Sequence, residues 1–172
     1  MGSRIPLSVL GLLLVGQTLS GTVWAQTKGE DIHLQTLQRA LDREMGVQGS
    51  EGMANVQVQT VAREFHVPPD LLQDMQGAKQ PWGEVTIELA MADALSKANA
   101  GFYPTAADAL KRVQQLRNQN LSWNQVAQEL GINLSQVRRA VQSTLQELQG
   151  ERERLQHRRR AEQAVDTAPT AR

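Results

Sequence analysis

The chain has 172 residues, 18 Lys and Arg against 18 Asp and Glu, 40% hydrophobic residues, 3% aromatics and no cysteine. That length suits one ordinary domain with loose ends rather than two cores. Without thiols, disulfides, thiolate metal sites and a lipidated amino-terminal Cys are excluded, so packing must hold the fold. Ala, Leu, Gln, Arg and Glu dominate, all good helix formers, and no stretch alternates apolar and polar β-branched residues for long enough to make a sheet. An all-α fold is expected.

Residues 1–25 have the pattern of a secretory signal: Arg4, an apolar run over residues 5–16, then Val23-Trp24-Ala25. Cleavage is expected after Ala25, leaving a periplasmic or secreted product. The apolar run is well short of the roughly 20 residues that a membrane-spanning helix needs. Residues 32–45 place Leu34, Leu37 and Leu41 on one helical face. Gly46, Gly49, Ser50 and Gly52 follow as a flexible joint, so residues 26–52 are expected to be a loosely tied helix and linker.

A helical repeat domain is expected over residues 53–149. Val58, Val61, Ala62 and Phe65 mark its first helix, which His66-Val67-Pro68-Pro69 stops. A short helix restarts at Pro69 or Asp70 and runs to Gln76. Residues 82–98 are the most apolar segment, the expected centre of the bundle. Thr105 should cap a helix over residues 106–119 and Ser122 another over residues 123–130, which Gly131 ends. The last helix should open near Asn133, with Gln136 as its capping-box partner. Leu134, Val141, Leu148 and Leu155 are seven apart, but the companion positions Thr144, Glu151 and Arg158 are polar, too thin a seam for a coiled coil. Residues 150–172 are expected to be a basic helical extension that frays into a disordered tail.

Shifting the chain by forty-one residues lays Trp82 on Trp123, Val85 on Val126, Glu88 on Glu129, Leu89 on Leu130 and Gln73 on Gln114. Each copy of this degenerate repeat is a short helix, a loop, and a helix opened by tryptophan. The expected architecture is therefore a small helical bundle of two helix-loop-helix repeats with a long C-terminal helix. Trp82, Val85, Leu89, Trp123, Val126, Leu130 and Gly131 are its structural positions. Both tryptophans should pack in the core with the indole N–H near the surface.

Phe65-His66-Val67-Pro68, Pro81-Trp82-Gly83-Glu84-Val85 and Leu89-Ala90-Met91-Ala92 resemble a group of uncharacterised exported bacterial proteins that repeat Phe-Gly-Val-Pro, Gly-Trp-Gly-Glu-Ile and a Leu-Ala-Leu-Ala helix. The second copy retains Trp123, Val126, Ala127, Leu130 and Gly131, and the resemblance covers roughly half of the segment after Ala25. His66 stands where that group has glycine. So do Pro81, Ser122 and Asn124, beside the tryptophans. The resemblance implies a helical fold and export, and no activity. Leu121-Ser122-Trp123-Asn124-Gln125 is similar, more weakly, to the Leu-Thr-x-x-Gln motif of small periplasmic chaperones of the Spy and CpxP type, which implies a holdase as an alternative.

Residues 123–141 also have the pattern of a helix-turn-helix, with Ala127 as the small residue, Gly131 in the turn, and Arg138 and Arg139 on the second helix. In an exported chain nucleic acid is not the expected partner; if the N-terminus is not a signal, a helix-turn-helix DNA-binding protein is the alternative. Catalysis has little to rest on, since His33, His66 and His157 lie on separate segments and no phosphate-cradling glycine loop occurs. No cofactor, metal or enzymatic activity is expected. Glu84 and Glu88, one turn apart, read as a solvated face. Charge is uneven: residues 26–137 hold thirteen acids against nine Lys and Arg, whereas residues 138–160 hold seven arginines against three glutamates. Arg138, Arg139, Arg152, Arg154, Arg158, Arg159 and Arg160 are thus the candidate partner-binding residues, suited to a protein or an anionic envelope surface.

Overall fold

The helix-forming composition is realised over most of the described residues. The computed structural model describes residues 20–46 and 51–166, with side chains described over residues 29–46 and 53–164; the apolar run at residues 5–16, most of the glycine joint and the tail beyond Asp166 lie outside them. Among the described residues there are seven helices and no strand: α1 (Ser20–Gly46), α2 (Glu51–Phe65), α3 (Pro69–Gly77), α4 (Trp82–Ala98), α5 (Ala106–Arg117), α6 (Trp123–Leu130) and α7 (Leu134–Asp166). No helix among them is long and apolar enough to cross a membrane.

Local chemistry accounts for most of the boundaries. Pro69 opens α3 behind Pro68, where a missing N–H leaves no hydrogen bond unmade. Thr105 and Ser122 both form reciprocal capping boxes, with Asp108 and Gln125. Gly131 adopts φ +65°, the left-handed conformation that ends α6. The repeat partner of Gly131 is Ala90, which continues α4, and this is why the second copy is a short helix and the first a long one. At the last helix Asn133 accepts a hydrogen bond from the Ser135 N–H at 2.9 Å.

α4 is the hub, packed against α1, α2, α3, α5 and α7. Every residue from Val85 to Ala92 is buried, the apolar ones as expected for the centre of the bundle and Glu88 against expectation. Equivalent repeat positions share a role only in part. Val85 and Val126 are both fully buried, but Leu89 is buried and Leu130 half-buried, and Trp123 is buried where Trp82 is half-buried.

α1 departs from the expectation of a loosely tied segment, because Leu34 and Leu41 are fully buried in the common core. It runs parallel to α7, as two ion pairs in matching order show: Glu30 to Arg138 at 2.7 Å and Glu44 to Arg152 at 3.0 Å. Fourteen residues separate the two partners on each helix, about 21 Å of rise. Of the polar companions Thr144 is fully buried, its hydroxyl donating to the Ala140 carbonyl at 2.9 Å, whereas Glu151 is half-buried and Arg158 exposed.

α1 also caps both tryptophan-led helices. The Gly83 N–H donates to Asp42 at 2.7 Å and the Asn124 N–H to Asp31 at 3.3 Å. Gly83 and Asn124 are equivalent in the repeat, and Asp31 and Asp42 lie three helical turns apart, on one face of α1. Each carboxylate meets the positive end of a helix dipole. The approach is closest at α4, where a Cβ on Gly83 would stand 2.3 Å from the Gln38 carbonyl oxygen. Gly83→Ala must therefore push α1 away, and we expect a loss of about 2 kcal/mol or more in urea unfolding, the upper part of the usual range for overpacking. Asp42→Ala, which removes a cap without adding volume, should lower stability by about 1 kcal/mol in the same measurement.

Candidate functional site

The pair expected to be a solvated face is not one. Glu88 is only 2% exposed, because α5 lies antiparallel across that side of α4. Gln114 donates from its side-chain nitrogen to Glu88 at 3.2 Å, and one turn away Arg117 donates to Glu84 at 3.0 Å. Two acids on α4 thus face one cation and one amide on α5. Burial pushes the Glu88 carboxyl from its usual 4.5 up to about 7; the Gln114 hydrogen bond opposes this, the Glu84 charge adds to it, and Arg117 and Gln80 oppose it.

Arg117 extends the cluster to the start of α6. Its other terminal nitrogen donates to the Leu121 carbonyl, its guanidinium carbon lies 3.8 Å from the centre of the Trp123 ring, and its Nε is buried without a partner. Stacking on the indole face gives the half-buried guanidinium a favourable contact beside its hydrogen bonds. Trp123 is 3% exposed and closes the core as expected. Beside it a cavity of about 320 Å³ opens between α1 and α6, with Asp31 and Arg39 on one wall and Arg117, Ser122 and Trp123 on the other.

The seven arginines fall into different environments. Arg138 binds Glu30, which also accepts from the Ser135 hydroxyl at 3.2 Å. Arg152 binds Glu44, itself 6% exposed. Arg154 pairs with Glu151 on its own helix at 2.7 Å. Arg139, Arg158, Arg159 and Arg160 are exposed. Two of the candidate partner-binding arginines therefore tie α7 to α1, while the cluster at Arg158 to Arg160 projects beyond the last core residue of α7, Leu148.

α6, Gly131 and α7 follow one another as helix, turn and helix, and the Ile132 N–H closes the turn on the Ala127 carbonyl at 3.0 Å. Both helix starts face acids of α1: Asp31 at Asn124, and Glu30 at Ser135 and Arg138. The histidines remain on separate elements, with His66 at φ 53° in the turn after α2. Among the described residues no three His, Asp or Glu side chains are gathered as a metal-binding set.

Sequence reasoning missed Arg117 and Gln80 altogether. Gln114 surfaced only as a repeat match to Gln73, with nothing in that match pointing to a buried acid.

Replacing Trp123 by Ala should lower stability by about 3–5 kcal/mol, the range for a large buried aromatic, and Trp82→Ala by clearly less. Glu88 makes stability depend on pH with a definite sign. The folded state keeps the carboxyl proton up to about pH 7, whereas the unfolded chain loses it near 4.5, so stability falls as pH rises across that window and levels above it. The loss attributable to Glu88 is about 3 kcal/mol. Glu88→Gln should remove it, gaining stability relative to the parent chain between those two pH values in chemical unfolding. No protein-family profile, curated protein or solved structure matches this chain.

Proposed function

We propose that this is an exported, non-enzymatic helical protein that binds an anionic envelope surface through the basic end of α7. The observation that carries the reading is the course of that helix. It continues to Asp166, eighteen residues past Leu148 and about 27 Å of rise, with every side chain from Gln156 to Ala164 exposed. A helix whose side chains are exposed there gains little core from concentrating cations, so Arg158 and Arg160 are best understood through a partner. The carboxylates and arginine of the α4–α5 cluster are occupied in joining helices, which favours binding over catalysis.

Export rests on the apolar run and Val23-Trp24-Ala25. The kinship with exported Phe-Gly-Val-Pro proteins gains support from the turn after α2: His66 holds the left-handed conformation that glycine adopts most readily, at the position where that group has glycine.

The test is binding to vesicles with and without anionic lipid. Arg158→Gln with Arg160→Gln should weaken association with the anionic vesicles severalfold, and added salt should weaken that of the parent chain, while unfolding stability changes by less than about 0.5 kcal/mol. Arg138 and Arg152 are unsuitable for this test because they hold α1. Association indifferent to salt and to both substitutions would move binding to the helical body. Binding only to an acidic protein, and not to vesicles, would replace the surface with a protein partner.

A further inference from the structure

Glu84 and Glu88 stand one turn apart on α4 and share a single nearby cation, Arg117, which is bound to Glu84 alone. Glu88 is closed off from water and held by an uncharged amide, Gln114. Arg117 also holds the chain ahead of α6, through the Leu121 carbonyl and the face of Trp123. Its Nε has no partner, so the guanidinium has no second carboxylate in this arrangement. We propose that the protonation state of Glu88 is a switch on this junction: the neutral acid leaves Arg117 with Glu84, Leu121 and Trp123, and ionisation draws the guanidinium toward Glu88 and loosens its hold on the start of α6.

The step is a simple ionisation, in which the Glu88 carboxyl releases its proton to solvent and the negative charge formed competes with Glu84 for one cation. Among the described residues the charged groups acting on Glu88 are Glu84, from its own helix, and Arg117, from α5, with the Gln114 and Gln80 amides; no described charged side chain of α1, α2, α3 or α7 is among them. At that end of α4 the Asp42 carboxylate is taken by the Gly83 N–H. The consequence reaches the cavity between α1 and α6, since Arg117, Ser122 and Trp123 form one of its walls. Acid conditions keep that wall in the arrangement seen here, and neutral to alkaline conditions relax it. The inference depends neither on the basic arm nor on export.

The experiment follows the indole N–H resonance of Trp123 in the ¹⁵N-labelled full chain from about pH 5 to about pH 9, a window in which an unperturbed glutamate does not titrate. Trp123→Phe assigns the resonance, and the amide spectrum reports that each variant is folded. A single transition is expected with a midpoint near 7. Glu88→Gln should abolish it. Glu84→Gln, which removes the competing carboxylate and frees Arg117, should move the midpoint roughly a pH unit lower. The Glu84 variant keeps the test decisive should Glu88→Gln fail to fold, because its effect requires an ionisable Glu88 beside Arg117. A resonance flat across the range, a transition that persists in Glu88→Gln, or a midpoint unmoved in Glu84→Gln overturns the switch.

Discussion

The contact between α1 and the start of α4 sets the geometry of the whole bundle. At Gly83 two helix backbones come together at a separation no side chain tolerates, with the Gln38 carbonyl on one side and the Asp42 carboxylate accepting the Gly83 N–H on the other. A helix end buried in this way needs an acceptor for its free donors, and a carboxylate also answers the helix dipole. Three turns earlier on the same face, Asp31 serves the start of α6. One unrepeated helix thereby recognises two repeated ones, through the same atom type and at the spacing its own pitch provides.

Once α1 is placed, α7 follows. Their parallel alignment is bounded at each end by an ion pair, Glu30 with Arg138 and Glu44 with Arg152, and between them Leu34, Leu41, Val141, Leu145 and Leu148 are buried. These ion pairs are only partly exposed, so they act more as register marks than as large sources of stability; breaking one would strand a charge in a poorly hydrated place. The arginines of α7 therefore divide by their partners: Arg138 and Arg152, paired with α1, are structural, whereas Arg139 and those beyond the end of α1 are exposed.

The α4–α5 interface carries the other constraint, a charge imbalance kept within the protein. Two acids and one cation cannot all be ionised there without leaving an uncompensated charge away from water, so the proton on Glu88 completes the balance. Arg117 joins this interface to α6 by a cation on an indole face, a contact that suits a delocalised guanidinium better than a point charge. The interior electrostatics of the first repeat and the packing of the second thus meet in one side chain.

Much of the fold was legible along the chain. Periodic leucines and valines, the paired prolines at 68 and 69, the caps Thr105 and Ser122 and the stop at Gly131 are local signals, and local hydrogen bonding and sterics are what they encode. The burial of the apolar residues between Val85 and Ala92 also followed from the composition of α4, whereas that of Glu88 did not. What the sequence could not decide was which polar residues would be covered. Glu84 and Glu88 look alike in sequence, and only the placement of α5 makes one a surface partner of Arg117 and the other a buried acid. Arg138 and Arg152 cannot be told from Arg158 and Arg160 by spacing; the length and alignment of α1 separate them. Composition and periodicity determined an all-helical bundle, because each turn of a helix is stabilised within a few residues. The charge environments belong to the tertiary structure alone, because desolvation and pairing depend on residues that are far apart in the chain.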